Sequence, residues 1–161
     1  MSRFIEIQHD EWIAASPDIV RAHYADLHHR ADARVHPREQ LRMLRPGPTG
    51  PRYERVLHGF MGLQHDIFER EQMADGSVVD NVVSGSNWGR SVRVRFWRRA
   101  EGGHNGTLVE LTVTQPLPPL VGGLFARWMR RRLERELREM AGEDKLDVER
   151  GYRPGRELRA A

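Results

Sequence analysis

The sequence predicts an α+β fold in which a curved antiparallel sheet of about seven strands wraps a long C-terminal helix. Two observations carry this expectation. Residues 116–141, PLPPLVGGLFARWMRRRLERELREMA, hold the longest helical pattern in the chain. There Leu120, Val121, Leu124, Phe125, Trp128, Leu133, Leu137 and Met140 recur at steps of three and four, while arginines and glutamates fill the other faces. Between Pro37 and Gln115 the apolar period drops to two and is broken by turns such as RPGPTGP, DG, GSNWG and EGGHNG. A helix with so broad an apolar face needs an apolar surface to lie against, and the preceding strands supply it.

The elements follow in order. Phe4–Trp12 alternates in its first half and reads as a strand with Ile5 and Ile7 on one face. Ser16, Pro17 and Asp18 then suit the N-cap, first position and first turn of a helix carrying Ile19, Val20, His23, Tyr24 and Leu27. Pro37 stops further helix. Strands are expected at Arg38–Arg45, Arg52–Met61, Leu63–Gln72, Ser77–Ser84, Arg90–Arg99 and Thr107–Gln115. Strand Arg90–Arg99 is the clearest, with Val92, Val94 and Phe96 opposed to Arg93, Arg95 and Trp97. The helix is expected to stop near Gly142. That gives one domain over residues 1–142 and a polar tail over 143–161, with ordered structure in only part of the tail.

Composition narrows the chemistry. At 161 residues the chain can bury a core without staples. It has no cysteine, which excludes disulfides, a thiolate nucleophile and cysteine-held metal clusters. No apolar run reaches the length of a membrane span and the N-terminus carries no signal-peptide core, so no integral membrane segment and a cytoplasmic location are expected. The formal charge is +3, and Lys145 is the single lysine. The arginines are spread along the chain among glutamates, so no nucleic-acid partner is expected. No phosphate loop, GxSxG elbow or HExxH pair occurs.

The element order, with ASPDIV opening the first helix, VHPREQLRML leading into the second strand and PPLVGGLFARWM opening the last helix, resembles the START/Bet v 1-like (SRPBCC) superfamily of the polyketide cyclase/dehydrase-like kind. The resemblance covers residues 3 to about 142 and rests on pattern, with no diagnostic catalytic motif. It implies a helix-grip fold whose sheet and C-terminal helix enclose a cavity for a hydrophobic or aromatic small molecule. Its members include carriers, receptors and cyclases, so fold alone leaves the activity open.

Three readings of function follow. The first is a ligand-binding protein, with or without cofactor-independent cyclisation or dehydration by acid–base chemistry. The second is a non-catalytic carrier or chaperone for a lipid or quinone. The third is an adaptor whose basic helix docks a partner or membrane surface; a homodimer stays open. For the first, His65 and His58 are candidate acid and base and Asn81 the orienting amide. His65 shares parity with Leu63 and Ile67, and Asn81 with Val79 and Val83; the parity of His58 is ambiguous between Phe60 and its neighbours. Leu41, Met43, Phe60, Ile67, Val83, Val94, Phe96, Leu111, Phe125 and Trp128 are the expected apolar wall. Trp88, in its glycine-flanked turn, is expected at the mouth together with Val35 and His36.

The run DLHHRADARVHP is similar to the iron-binding stretch of Rieske-type oxygenases, which points to Asp26, His29 and His36. The second histidine is displaced from that spacing and the chain has no cysteines for a Rieske centre. No metal and no cofactor are expected.

Overall fold

The computed structural model describes residues 3–33, 35–59, 62–118 and 123–154. Its seven strands are β1 (Arg3–Ile13), β2 (Glu39–Met43), β3 (Arg52–Gly59), β4 (Gly62–Gln72), β5 (Val78–Gly85), β6 (Ser91–Glu101) and β7 (His104–Leu117). They form one antiparallel sheet in the order β1-β7-β6-β5-β4-β3-β2. Helices α1 (Pro17–Ala25) and α2 (Leu27–Asp32) follow β1, and α3 (Gly123–Glu149) closes the chain. Among the described residues no helix is long and apolar enough to cross a membrane.

Local chemistry explains most boundaries. Pro17 opens α1, and the Asp26 side chain caps α2 by accepting from the His29 amide at 2.9 Å. The β6–β7 hairpin turns at Gly102 and Gly103, whose φ values of 56° and 81° match a two-residue turn of the hand that follows strand twist. The last strand continues two residues past the expected Gln115, because Pro116 and Leu117 still pair with Phe4 and Arg3 of β1. Proline is tolerated there because β6 has ended: its last partner on β7 is Thr114.

The end of α3 corrects the expected boundary at Gly142. The helix runs through that glycine to Glu149, so residues 143–149 are helix rather than tail. Leu133, Leu137, Ala141, Asp144 and Val148 form one buried stripe at steps of four, four, three and four. Burying its last three members outweighs the ~1 kcal/mol that a mid-helix glycine costs. Tyr152, beyond the helix, is buried as well and donates from its hydroxyl to Asp26 Oδ2 at 3.1 Å. At its other end α3 is described from Gly123, not from Pro116; the expected helical residues 119–122 lie outside the described residues.

The main core joins Ile5 and Ile7 of β1, Val94 and Phe96 of β6, Val109, Leu111 and Val113 of β7, Val20 and Tyr24 of α1, and the α3 stripe. A second cluster of Leu27, Tyr53, Phe68 and Val82 lies towards the other sheet edge. The helix packs most closely on β1 and has few neighbours on β2–β4. That asymmetry leaves a space between α3 and the β2–β3 side of the sheet.

Candidate functional site

The space is a cavity of about 410 Å³. Its apolar wall is built by Leu57 of β3, the paired Val92 and Val113 of β6 and β7, and Leu133, Leu137 and Met140 of α3. Exposed lining residues mark the mouth: Arg38, His58, Arg131, Arg135 and Glu139, with Trp128 at one side. A recess of about 40 Å³ continues inward past Glu39, Arg55, Val92 and Met140 to Leu41, Tyr53, Phe68, Val94 and Leu111.

The inner sheet face is unusually charged for the wall of such a cavity. Arg55 donates from Nη1 to Glu39 Oε1 at 3.2 Å and lies 4.8 Å over the Phe68 ring. Arg90, immediately before β6, is 5% exposed. It donates from Nε to Gln115 Oε1 at 2.6 Å and from Nη2 to Asn87 Oδ1 at 2.9 Å. Burial, aided by the positive charge of Arg55, pushes its pKa down to about 10. Deeper, Arg70 grips Asp80 with two hydrogen bonds of 2.8 and 2.6 Å and donates a third to the Tyr24 carbonyl, tying α1 to the sheet.

At the inner end a second charged group links α2 and the α2–β2 connection to α3. Asp144 is fully buried, with its Oδ1 3.2 Å from His36 Nε2, 3.8 Å from Arg30 Nη2 and 4.0 Å from His23 Nδ1. Burial acts to raise its pKa, but Arg30 and His36 outweigh that and hold the carboxyl well below the usual range. His36 Nδ1 bonds Glu143 Oε2 at 2.7 Å, and His36 and Glu143 both line the cavity.

Two influences on His36 oppose each other. Arg30 Nη2 stands 2.6 Å from its Nε2, a contact that suits a neutral ring. Burial and Arg30 lower its pKa, yet Asp144 and Glu143 prevail and raise it to about 9. Charge balance favours the cation. With a neutral ring, Arg30 balances the buried Asp144 but the partly exposed Glu143 has no counter-charge; a proton on His36 supplies one. For His23 burial dominates and lowers the pKa, so this ring is neutral.

The residues expected from sequence divide sharply. Leu41, Val94 and Leu111 line the recess, and Trp128 and His58 lie at the mouth. His65 and Asn81 do not face the cavity and are corrected. His65 pairs across the sheet with Val56 and bonds the Glu54 carboxylate at 2.5 Å on the outer surface. Asn81 lies on the outer face of β5, opposite Ser91, whereas Val78, Asp80 and Val82 face inward. Ile67 and Val83 share that outer face. Met43 and Phe96 face inward but pack in the two core clusters instead of lining the cavity. Phe125, 42% exposed, and Trp88, 72% exposed, do not line it, although Phe125 packs with its ring centroid 5.4 Å from that of Trp128. Phe60 lies outside the described residues.

The correction on β4 has a clear cause. Its inward face is Gln64, Asp66, Phe68 and Arg70, more polar than the outward Leu63, His65 and Ile67. Hydrophobic parity therefore points the wrong way. Arg55, Arg90 and Gln115 are absent from the expected set although parity marks all three. Arg55 alternates in phase with Tyr53 and Leu57, Arg90 with Val92 and Val94, and Gln115 with Leu111 and Val113.

Asp26, His29 and His36 do not form a donor set, because Asp26 caps α2 and His36 turns to α3. Among the described residues the donors that converge are His23, His29 and Asp147. Both rings place Nε2 on the same carboxylate oxygen, at 2.9 and 2.7 Å, so hydrogen bonds already satisfy the group.

No protein-family model matches the chain, and no curated protein matches it in sequence. Solved structures do. A protein of Thermus thermophilus superposes with a TM-score of 0.76 at 17% identity, over 92% of this chain and 100% of that one. The ZhuI aromatase/cyclase of Streptomyces sp. R1128 gives 0.72 at 16% identity, over 97% and 100%. A START superfamily protein of Mycobacterium smegmatis gives 0.71 at 14%, over 90% and 97%. With these neighbours, a seven-stranded sheet gripping a C-terminal helix and a cavity between them, the chain has the helix-grip fold of START/Bet v 1-like (SRPBCC) proteins.

Proposed function

We propose that this chain binds a small molecule with an apolar body in the cavity between α3 and the inner sheet face, and that it acts in the cytoplasm. The observation that carries the reading is the cavity of about 410 Å³, within the size range of small-molecule sites and walled by Leu57, Val92, Val113, Leu133 and Leu137. The similarity in fold to an aromatase/cyclase and a START protein supports it.

A second reading adds proton transfer. His36 lines the cavity with Glu143 on its Nδ1, which gives a positioned acid–base pair where His65 and Asn81 give none. The experiment is a thermal-shift screen with hydrophobic and aromatic compounds, followed by native mass spectrometry of the hits. A ligand that binds only the folded state raises the melting temperature with dose. A screen with no dose-dependent shift refutes binding. Conversion of a bound polyketide-like substrate that disappears in His36→Gln, with binding retained, selects the catalytic reading.

A further inference from the structure

The lining carboxylates of the cavity are already paired. Glu39 holds Arg55, Glu136 holds Arg132 at 2.8 Å, Glu139 holds Arg38 at 3.1 Å and Glu143 holds His36. Arg90 is different. Its Nε and Nη2 donate only to the neutral amide oxygens of Gln115 and Asn87, and Nη1 makes no hydrogen bond among the described residues. The nearest carboxylate oxygen to Nη1, on Glu136, stands 3.8 Å away. Asp66, the buried carboxylate nearby, accepts instead from the Asn87 backbone and side chain at 2.8 and 2.7 Å. The neighbouring Arg55 adds a buried Nε with no partner among the described residues. Two guanidiniums thus stand at one wall, Arg90 with an Nη1 that makes no hydrogen bond among the described residues and Arg55 with a fully buried Nε that has none. A buried cation whose hydrogen bonds all go to neutral amides, with its nearest carboxylate 3.8 Å away and already bonded to Arg132, is only partly compensated.

We propose that the cavity takes a molecule with an apolar body and one carboxylate, and that the carboxylate seats on Arg90 Nη1 beside Arg55. This rests on the cavity being a ligand site, as proposed above. With Nε and Nη2 already bonded, Nη1 offers a single charge-assisted hydrogen bond, which a carboxylate makes more strongly than a neutral carbonyl does. Val92 lies two residues along β6 on the same face, with Val113 paired to it, so a carboxylate at Arg90 lays the apolar body along β6 against Leu133 and Leu137.

The test is isothermal titration of the full chain with two acids, 2-naphthoate and decanoate, and their amides, 2-naphthamide and decanamide. The expected result is at least one acid binding roughly 10- to 100-fold more tightly than its amide, the range for a hydrogen bond to a charged group. In Arg90→Gln that difference collapses while amide affinity stays. Arg95→Gln, which removes a charge paired with Glu110 on the outer face, keeps the difference. Should Arg90→Gln fail to fold, Gln115→Glu replaces it: an internal carboxylate at Arg90 also abolishes the preference for the acid. Equal binding of acids and amides overturns the carboxylate site and leaves the cavity reading standing. Loss of the preference in Arg95→Gln as well overturns it in favour of a general field. No binding of any of the four overturns both.

Discussion

The side-chain amide of Gln115 accepts a 2.6 Å hydrogen bond from the Nε of the buried Arg90, joining the last buried position of β7 to the residue that precedes β6. Replacing Gln115 by leucine keeps the volume and strands that donor. Gln115→Leu is expected to lose about 1–3 kcal/mol, the cost of one unsatisfied buried polar group. Urea unfolding checks it, and an unchanged midpoint would contradict the role given to this bond.

Asp144 is the anion around which Arg30, His36 and His23 are arranged. Removing one member of a buried ionic group leaves the others uncompensated. Asp144→Ala is therefore expected to cost about 3–5 kcal/mol in denaturant unfolding. A loss below about 1 kcal/mol would show that water reaches the group and that it is not buried as described.

His36 sets a pH dependence whose sign is fixed. Its folded pKa is raised to about 9 from an unfolded value near 6.5. Above pH 6.5 the unfolded chain releases this proton while the folded chain keeps it. The His36 contribution is thus complete below pH 6.5 and is lost as pH rises through 9. Unfolding of the wild type should lose stability across that window, and His36→Gln should flatten the slope. Histidine NMR titration gives the direct check: a His36 midpoint below 6.5 would refute the charged ring.

Core and surface aromatics should separate cleanly. Phe68 is buried and stacked on Tyr53 with centroids 5.1 Å apart, so Phe68→Ala is expected to cost about 3–5 kcal/mol. Phe125 is 42% exposed on the first turns of α3, and Phe125→Ala should cost about 1 kcal/mol or less. Parallel thermal melts of the two variants compare them directly.

The periodicities alone determined the architecture: strands of period two from Pro37 to Gln115, an amphipathic helix after them, and the fold that this order dictates. They also determined that Val92, Val94, Leu111 and Val113 face inward, because alternation on β6 and β7 is unbroken there. What only the tertiary structure decided is which face of β4 and β5 is inside and where the last helix ends. On β5 the sequence VVDNVVSG places valines on both parities, so pattern cannot choose between Asp80 and Asn81. The choice is made by Arg70, which stands directly opposite Asp80 on the neighbouring strand and by pairing makes a charged position the buried one. On α3 the stripe passes through Asp144, which reads as surface until Arg30 and His36, more than a hundred residues earlier in the chain, meet it. A local pattern records hydrophobicity one residue at a time. The burial of a charge depends on a partner that only the folded chain brings near.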